Sequence, residues 1–194
     1  MEAIWDHGPS VLAHVAMGIG LAASAGLRAF LPLLVVGVAG RFDVVPLSES
    51  FGWLESWPAI LVFGAAVLVE VLADKIPVVD HFLDTAQTFV KPLAGALVMA
   101  TVVSEWSPLY VTVLSIALGG TAAAAVHVAK AKLRLASTVT TAGLGNPVLS
   151  LSEDVGAVAG TVGAIFIPGL VLVAFVLFAL LAWITLRRLR RRPA

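Results

Sequence analysis

The 194-residue chain has no cysteine. That excludes disulfide staples, thiolate nucleophiles and cysteine-ligated metals, and leaves the redox compartment open. Charge is scarce too. Asp, Glu, Lys and Arg make up 12% of the residues, where a soluble domain carries roughly 25%. Apolar residues make up 60%, and mean hydropathy is +1.02. A water-soluble fold of this size could not hide that much apolar surface, so lipid must be the solvent for most of the chain. Enzyme motifs are also missing: there is no Gly-rich phosphate loop, no zinc-type His pair and no nucleophile elbow. The expectation is a protein that is not an enzyme, with action on a lipid phosphate the one catalytic class left open. The start, "MEAIWDHGPS", is acidic where a signal peptide is basic, so the first helix is expected to stay in the mature protein.

What is present is a series of long apolar runs. A spanning helix needs about 20 mostly apolar residues. Val11 to Gly40 qualifies, interrupted by Arg28 and Pro32. Trp57 to Ala73, Thr85 to Val103 (carrying Lys91 and Pro92) and Leu109 to Val128 follow. The last run, Val155 to Leu186, is too long for one crossing, and "IPG" at Ile167–Gly169 would divide it. The connections are a loop flanked by Trp53 and Trp57, a tight turn at "EWSPLY", and a long polar stretch from Ala129 to Asp154. Basic residues mark the cytoplasmic side. Lys130, Lys132 and Arg134 belong there, as do the five arginines of Arg187–Arg192. The expected architecture is one all-α polytopic transmembrane domain over residues 1–194. It has about six helices, broken or re-entrant first and last segments, and both termini in the cytoplasm. The cell (inner) membrane is the expected location. Residues 187–194 form a basic tail suited to anionic lipid rather than nucleic acid.

Two octapeptides share a pattern. "PVVDHFLD" (Pro77–Asp84) and "PVLSLSED" (Pro147–Asp154) both read Pro-Val-aliphatic, then four residues, then Asp. Each Asp would open an apolar helix, and a helix of the same orientation precedes each. A two-copy helix–loop–helix repeat is therefore expected. The helices that feed the two copies differ. Glu70 and Asp74 lie four apart on one face, whereas His127, Lys130 and Arg134 share a face at steps of three and four. One copy presents acid and the other base, at one membrane depth. A lone charge near hydrocarbon costs about 2.5–3.5 kcal/mol on insertion scales, so pairing across the bundle is expected.

These residues are the candidate site. Glu70, Asp74, Asp80 and Asp84 offer oxygen ligands for a hard cation, or form a salt-bridged loop. Asp84, with Ser152, Glu153 and Asp154, either serves function or caps helix starts. His127, Lys130 and Arg134 suit an anion or lipid headgroup, or simply set orientation. Arg28 needs a buried carboxylate or a water-filled path; small residues from Gly18 to Gly26 let another helix come close. Asn146 joins the candidates, although Asn-Pro ordinarily makes a turn. "GAVAGTVG" (Gly156–Gly163) is a small-residue packing face, within the chain or toward a second copy.

"GLRAFLPLL", "EVLADKIPVVDHFLD", "KPLAGAL", "HVAKAKLR" and "NPVLSLSED", in this order, resemble the DUF4126 family of integral membrane proteins. The likeness runs from about Gly18 to Asp154. It implies a polytopic membrane protein whose signature residues are these polar ones, and it implies no activity. The functional expectation is a small transporter or channel for an ion or a small polar or anionic solute. A membrane scaffold or lipid-headgroup binder is the alternative. No cofactor is expected beyond a bound cation or lipid.

Overall fold

The computed structural model describes residues 11–74, 77–104 and 106–171, and of the segment that follows only 173, 174, 176, 177, 180, 181 and 184. Lys75 and the Arg187–Arg192 tail lie outside the described residues. So do the side chains of Asp80 and His81. Among the described residues every regular element is helical. They are α1 (Val11–Leu27), α2 (Leu31–Arg41), a 3-10 segment (Glu49–Glu55), α3 (Trp57–Ala73), α4 (Pro77–Val102), α5 (Pro108–Leu114), a π-helical stretch (Ser115–Gly120), α6 (Thr121–Thr141) and α7 (Asn146–Phe166).

Two helices are long and apolar enough to cross a membrane unaided: Pro108–Thr141, which joins α5, the π stretch and α6, and Asn146–Phe166. The 3-10 segment with α3 makes a third candidate, bent by 62°. α1 and α2 are shorter apolar helices. The chain is thus an all-helical protein of membrane character.

The break in the first run falls at Arg28–Phe30, as Arg28 and Pro32 led one to expect; Pro32 occupies the first turn of α2. The two halves do not form one crossing. Gly18 of α1 meets Met99 near the end of α4, whereas Gly26 meets Ala123 and Val126 of α6. After the break, Phe30 stacks near Phe63, and Gly37 reaches Leu54 and Ile60. α2 therefore runs back along α3, and Val11 and Arg41 lie toward the same end of the bundle.

α1 is the central helix, packed on α4, α6 and α7. The core joins Met17, Leu21, Ala22 and Ala25 to Val36, Val98 and Ile165. The small residues of "GAVAGTVG" serve packing within the chain: Gly156 lies against Leu27, and Gly160 against Ser24. At α4 the neighbour is the π stretch, where the two backbones nearly touch. A Cβ on Gly119 would stand 2.5 Å from the carbonyl oxygen of Gly95.

The long polar connection is not a loop. α6 continues to Thr141, and α7 begins at Asn146 after a four-residue turn, Ala142–Gly145. Ala, Lys, Leu and Arg are good helix formers, and Lys130 and Arg134 face the bundle interior rather than water. The turn places Ala142 and Gly143 at positive φ (50° and 86°), a left-handed stop to α6. The expected helix starts at Asp84 and Asp154 move upstream as well. Each helix opens at or beside a proline, Pro77 in α4 and Pro147 in α7. Proline suits a first turn because its missing N–H has no helical acceptor there. In the last run, Ile167 leaves helical geometry (φ −139°, ψ 60°), so α7 ends where "IPG" begins.

Candidate functional site

The break between α1 and α2 exposes backbone donors inside the protein, and α3 meets them. Glu70 Oε1 accepts the Ala29 N–H at 3.0 Å and the Gln87 side-chain amide at 2.8 Å. Arg28 is 1% exposed. It bonds the Glu70 carbonyl at the end of α3 (3.3 Å) and pairs with Asp74 Oδ2 at 2.6 Å and Asp154 Oδ1 at 2.5 Å. A second guanidinium reaches the same carboxylate: Arg134 Nη2 lies 2.9 Å from Asp74 Oδ2. Arg134 also holds Glu153 with two donors, Nε at 3.1 Å and Nη2 at 2.8 Å. Lys130 then meets Glu153 Oε2 at 3.1 Å.

The result is a continuous ionic chain: Asp154, Arg28, Asp74, Arg134, Glu153, Lys130. Three acids alternate with three bases, so the set is neutral. It ties the α1–α2 junction, the end of α3, the middle of α6 and the first half of α7 at one depth. His127, Lys130 and Arg134 all lie on the buried face of α6, whereas Lys132 is exposed. Arg28, which the sequence left between a buried carboxylate and a water-filled path, has carboxylates on both sides.

Other candidates fall elsewhere. Asn146 Nδ2 donates to Thr138 Oγ1 at 3.0 Å, which fastens the exposed α6–α7 turn, so Asn146 takes no part in the ionic chain. Asp84, Glu153 and Asp154 lie inside helices and cap no helix start. Among the described residues no three His, Asp or Glu side chains are placed to hold a metal ion. Asp74 is bound by two arginines instead. Asp80 lies outside the described side chains.

Two residues escaped sequence reasoning. Lys91 is 0% exposed and Gln87 2% exposed. With Asp84 they form a series at steps of three and four, one face of α4, which was the available signal. His127 stands nearby, its Nε2 3.4 Å from Thr88 Oγ1. Several buried atoms of this region have no hydrogen-bond partner among the described residues: Glu70 Oε2, Gln87 Oε1, Lys91 Nζ and His127 Nδ1. Beside the ionic chain, a cavity of about 140 Å³ opens between α1, α6 and α7. Leu27, Val126, Leu133 and Leu149 wall it, with Lys130 and Glu153 at its polar edge.

The residues that build this site recur in the five stretches quoted above, and the family model for "Domain of unknown function (DUF4126)" matches residues 15–188. The chain belongs to the DUF4126 family. No curated protein and no solved structure matches it. In this DUF4126 chain the family match extends past α7 into the last apolar run.

Proposed function

We propose that this chain is a small membrane transporter or channel for an ion or a small polar or anionic solute, and that the ionic chain is its moving part. One observation carries the reading: the partners are shared. Asp74 Oδ2 serves both Arg28 and Arg134, and Glu153 Oε2 serves both Arg134 and Lys130. A scaffold gains little from such a network, because well-packed apolar residues are often as stable as a buried ion pair. Shared pairs can be repartitioned when one helix shifts, and this gives two arrangements of similar energy for a gate. A solute charge could enter the network by replacing one internal partner.

In this reading the basic end faces the cytoplasm, with Lys130, Lys132, Arg134 and the Arg187–Arg192 tail. Because α1 and α2 run in opposite directions, the Val11 end would then lie on the outer side. The two proline-initiated helices α4 and α7 would be the related halves of the pseudo-repeat. The chain has no catalytic role in this reading.

The test is flux. Full-length protein in liposomes should carry Na⁺, K⁺, Cl⁻ or phosphate above protein-free vesicles, and Glu153→Gln should change that flux severalfold. If no species moves, and Glu153→Gln alters only thermal stability, the reading fails. The cavity at Lys130 and Glu153 favours a second reading, a lipid-headgroup binder: its apolar walls suit an acyl chain and its polar edge a headgroup.

A further inference from the structure

Among the described residues the ionic chain leaves out two buried charged side chains, Lys91 and Glu70. Lys91 is wholly buried, and among the described residues its Nζ has no hydrogen-bond acceptor and no carboxylate paired to it, while its side chain lies against that of Lys130. Glu70 is 2% exposed, and its Oε1 takes two N–H donors while Oε2 takes none. The two are electrostatic neighbours without touching. The charged groups that face them are Arg28 from α1, Lys130 from α6 and Asp84 from α4, with His127 of α6 beside Lys91 and Glu153 of α7 near His127.

A separated pair of buried opposite charges is costly. Desolvation is paid in full, while attraction falls with distance. Two things lower the cost: a bridging water, which has donors and acceptors to offer both sides, or a proton shift that removes both charges. Unmet donors and unmet acceptors occur together here, which suits both.

We propose that Glu70 and Lys91 form a proton-exchanging pair, and that the proton is an ion this chain carries. This rests on the transporter reading of the same region. In the step, a Lys91 Nζ–H bond breaks and its electron pair stays on nitrogen. An O–H bond forms at Glu70 Oε2 through a bridging water that accepts one proton as it gives up another. Ammonium and carboxylate become amine and carboxylic acid, with no change of net charge. His127 and the half-buried Asp84 continue the path toward the basic end. The imidazole can accept a proton at one ring nitrogen and release one from the other.

The experiment uses the full chain in liposomes with an internal pH dye and an outward K⁺ gradient, which valinomycin converts into an inside-negative potential. Wild-type protein should acidify the interior at least tenfold faster than empty vesicles. Glu70→Gln and Lys91→Met should each return the rate to the empty-vesicle level, and Asp84→Asn should slow it severalfold. Should a single variant fail to fold, the double variant Glu70→Gln/Lys91→Met, neutral at both sites, replaces it; if that variant elutes as a single species and conducts protons like wild type, the proposal is overturned. The same vesicles are assayed for Na⁺, K⁺, Cl⁻ and phosphate. Flux of one of these without protons overturns the proton pair and leaves the transporter reading standing, whereas silence for every species ends both. Infrared spectroscopy gives a readout apart from transport: a protonated-carboxyl C=O band in wild type, absent from Glu70→Gln. No such band between acid and neutral pH overturns Glu70 as the acceptor.

Discussion

Arg28 shows what a single buried charge does here. Its guanidinium reaches Asp74, Asp154 and the Glu70 carbonyl together, a fork that only Arg can make. Arg28→Met leaves the buried carboxylate of Asp74 and the partly exposed one of Asp154 short of a cation, and should destabilise the fold by about 3–5 kcal/mol, the cost of breaking a buried pair from one side. Arg28→Lys keeps the charge but cannot bridge both acids, and its loss should be intermediate. Thermal unfolding of both variants in one detergent would check the order; equal stability of Arg28→Met and wild type would contradict the network. Arg28 was legible because a charge inside an apolar run must have a partner. Lys91 obeys the same logic, yet its partner gives no local sign: Glu70 lies on another helix, and Asp84, Gln87 and Lys91 form a face only once α4 is known to start at Pro77.

Helix packing repeats the theme of close approach. Where α4 meets the π stretch, Gly95 and Gly119 let two backbones touch, and Pro92 of α4 stands near Gly120. π turns often mark functional sites, and Pro92 and Gly120 are irregular positions in neighbouring helices. Gly119→Val should cost about 1–3 kcal/mol through overpacking. Gly64 is the control. It sits in α3 with nothing within 4 Å of an added Cβ. Gly64→Ala should therefore stabilise α3 by about 0.5–1 kcal/mol, the helical advantage of Ala over Gly. Unfolding midpoints moving in opposite directions would bear this out; a loss in both would mean that the glycine contact does not set the cost. At this scale the sequence was legible in its apolar runs and at Arg28, Pro32 and Ile167. It misled between Ala129 and Asp154, where charge read as a loop. Lys130, Arg134, Ser150 and Glu153 point inward from that stretch, and composition cannot show which way a helix faces.

The whole molecule turns on the reversal at Arg28. An apolar run of the length of Val11 to Gly40 reads as one crossing, because hydropathy measures solvent preference and not direction. The contacts reverse it: α1 runs toward the ionic chain and α2 runs away from it along α3. The 3-10 segment and the α4–α5 turn then lie at one end of the bundle, and the α6–α7 turn at the other. A chain without cysteine makes this directly testable. Single cysteines at Leu12, Ser50 and Leu144 should split into two groups when intact cells meet a membrane-impermeant thiol reagent. Leu12→Cys and Ser50→Cys should label together from outside, and Leu144→Cys only after the membrane is opened. Leu12→Cys labelling with Leu144→Cys instead would restore the single crossing of Val11 to Gly40 and move the N-terminal end to the cytoplasm. That result would also part α1 from its antiparallel contacts with α4 and α7, and the depth at which Arg28 meets Asp74 and Asp154 would no longer hold.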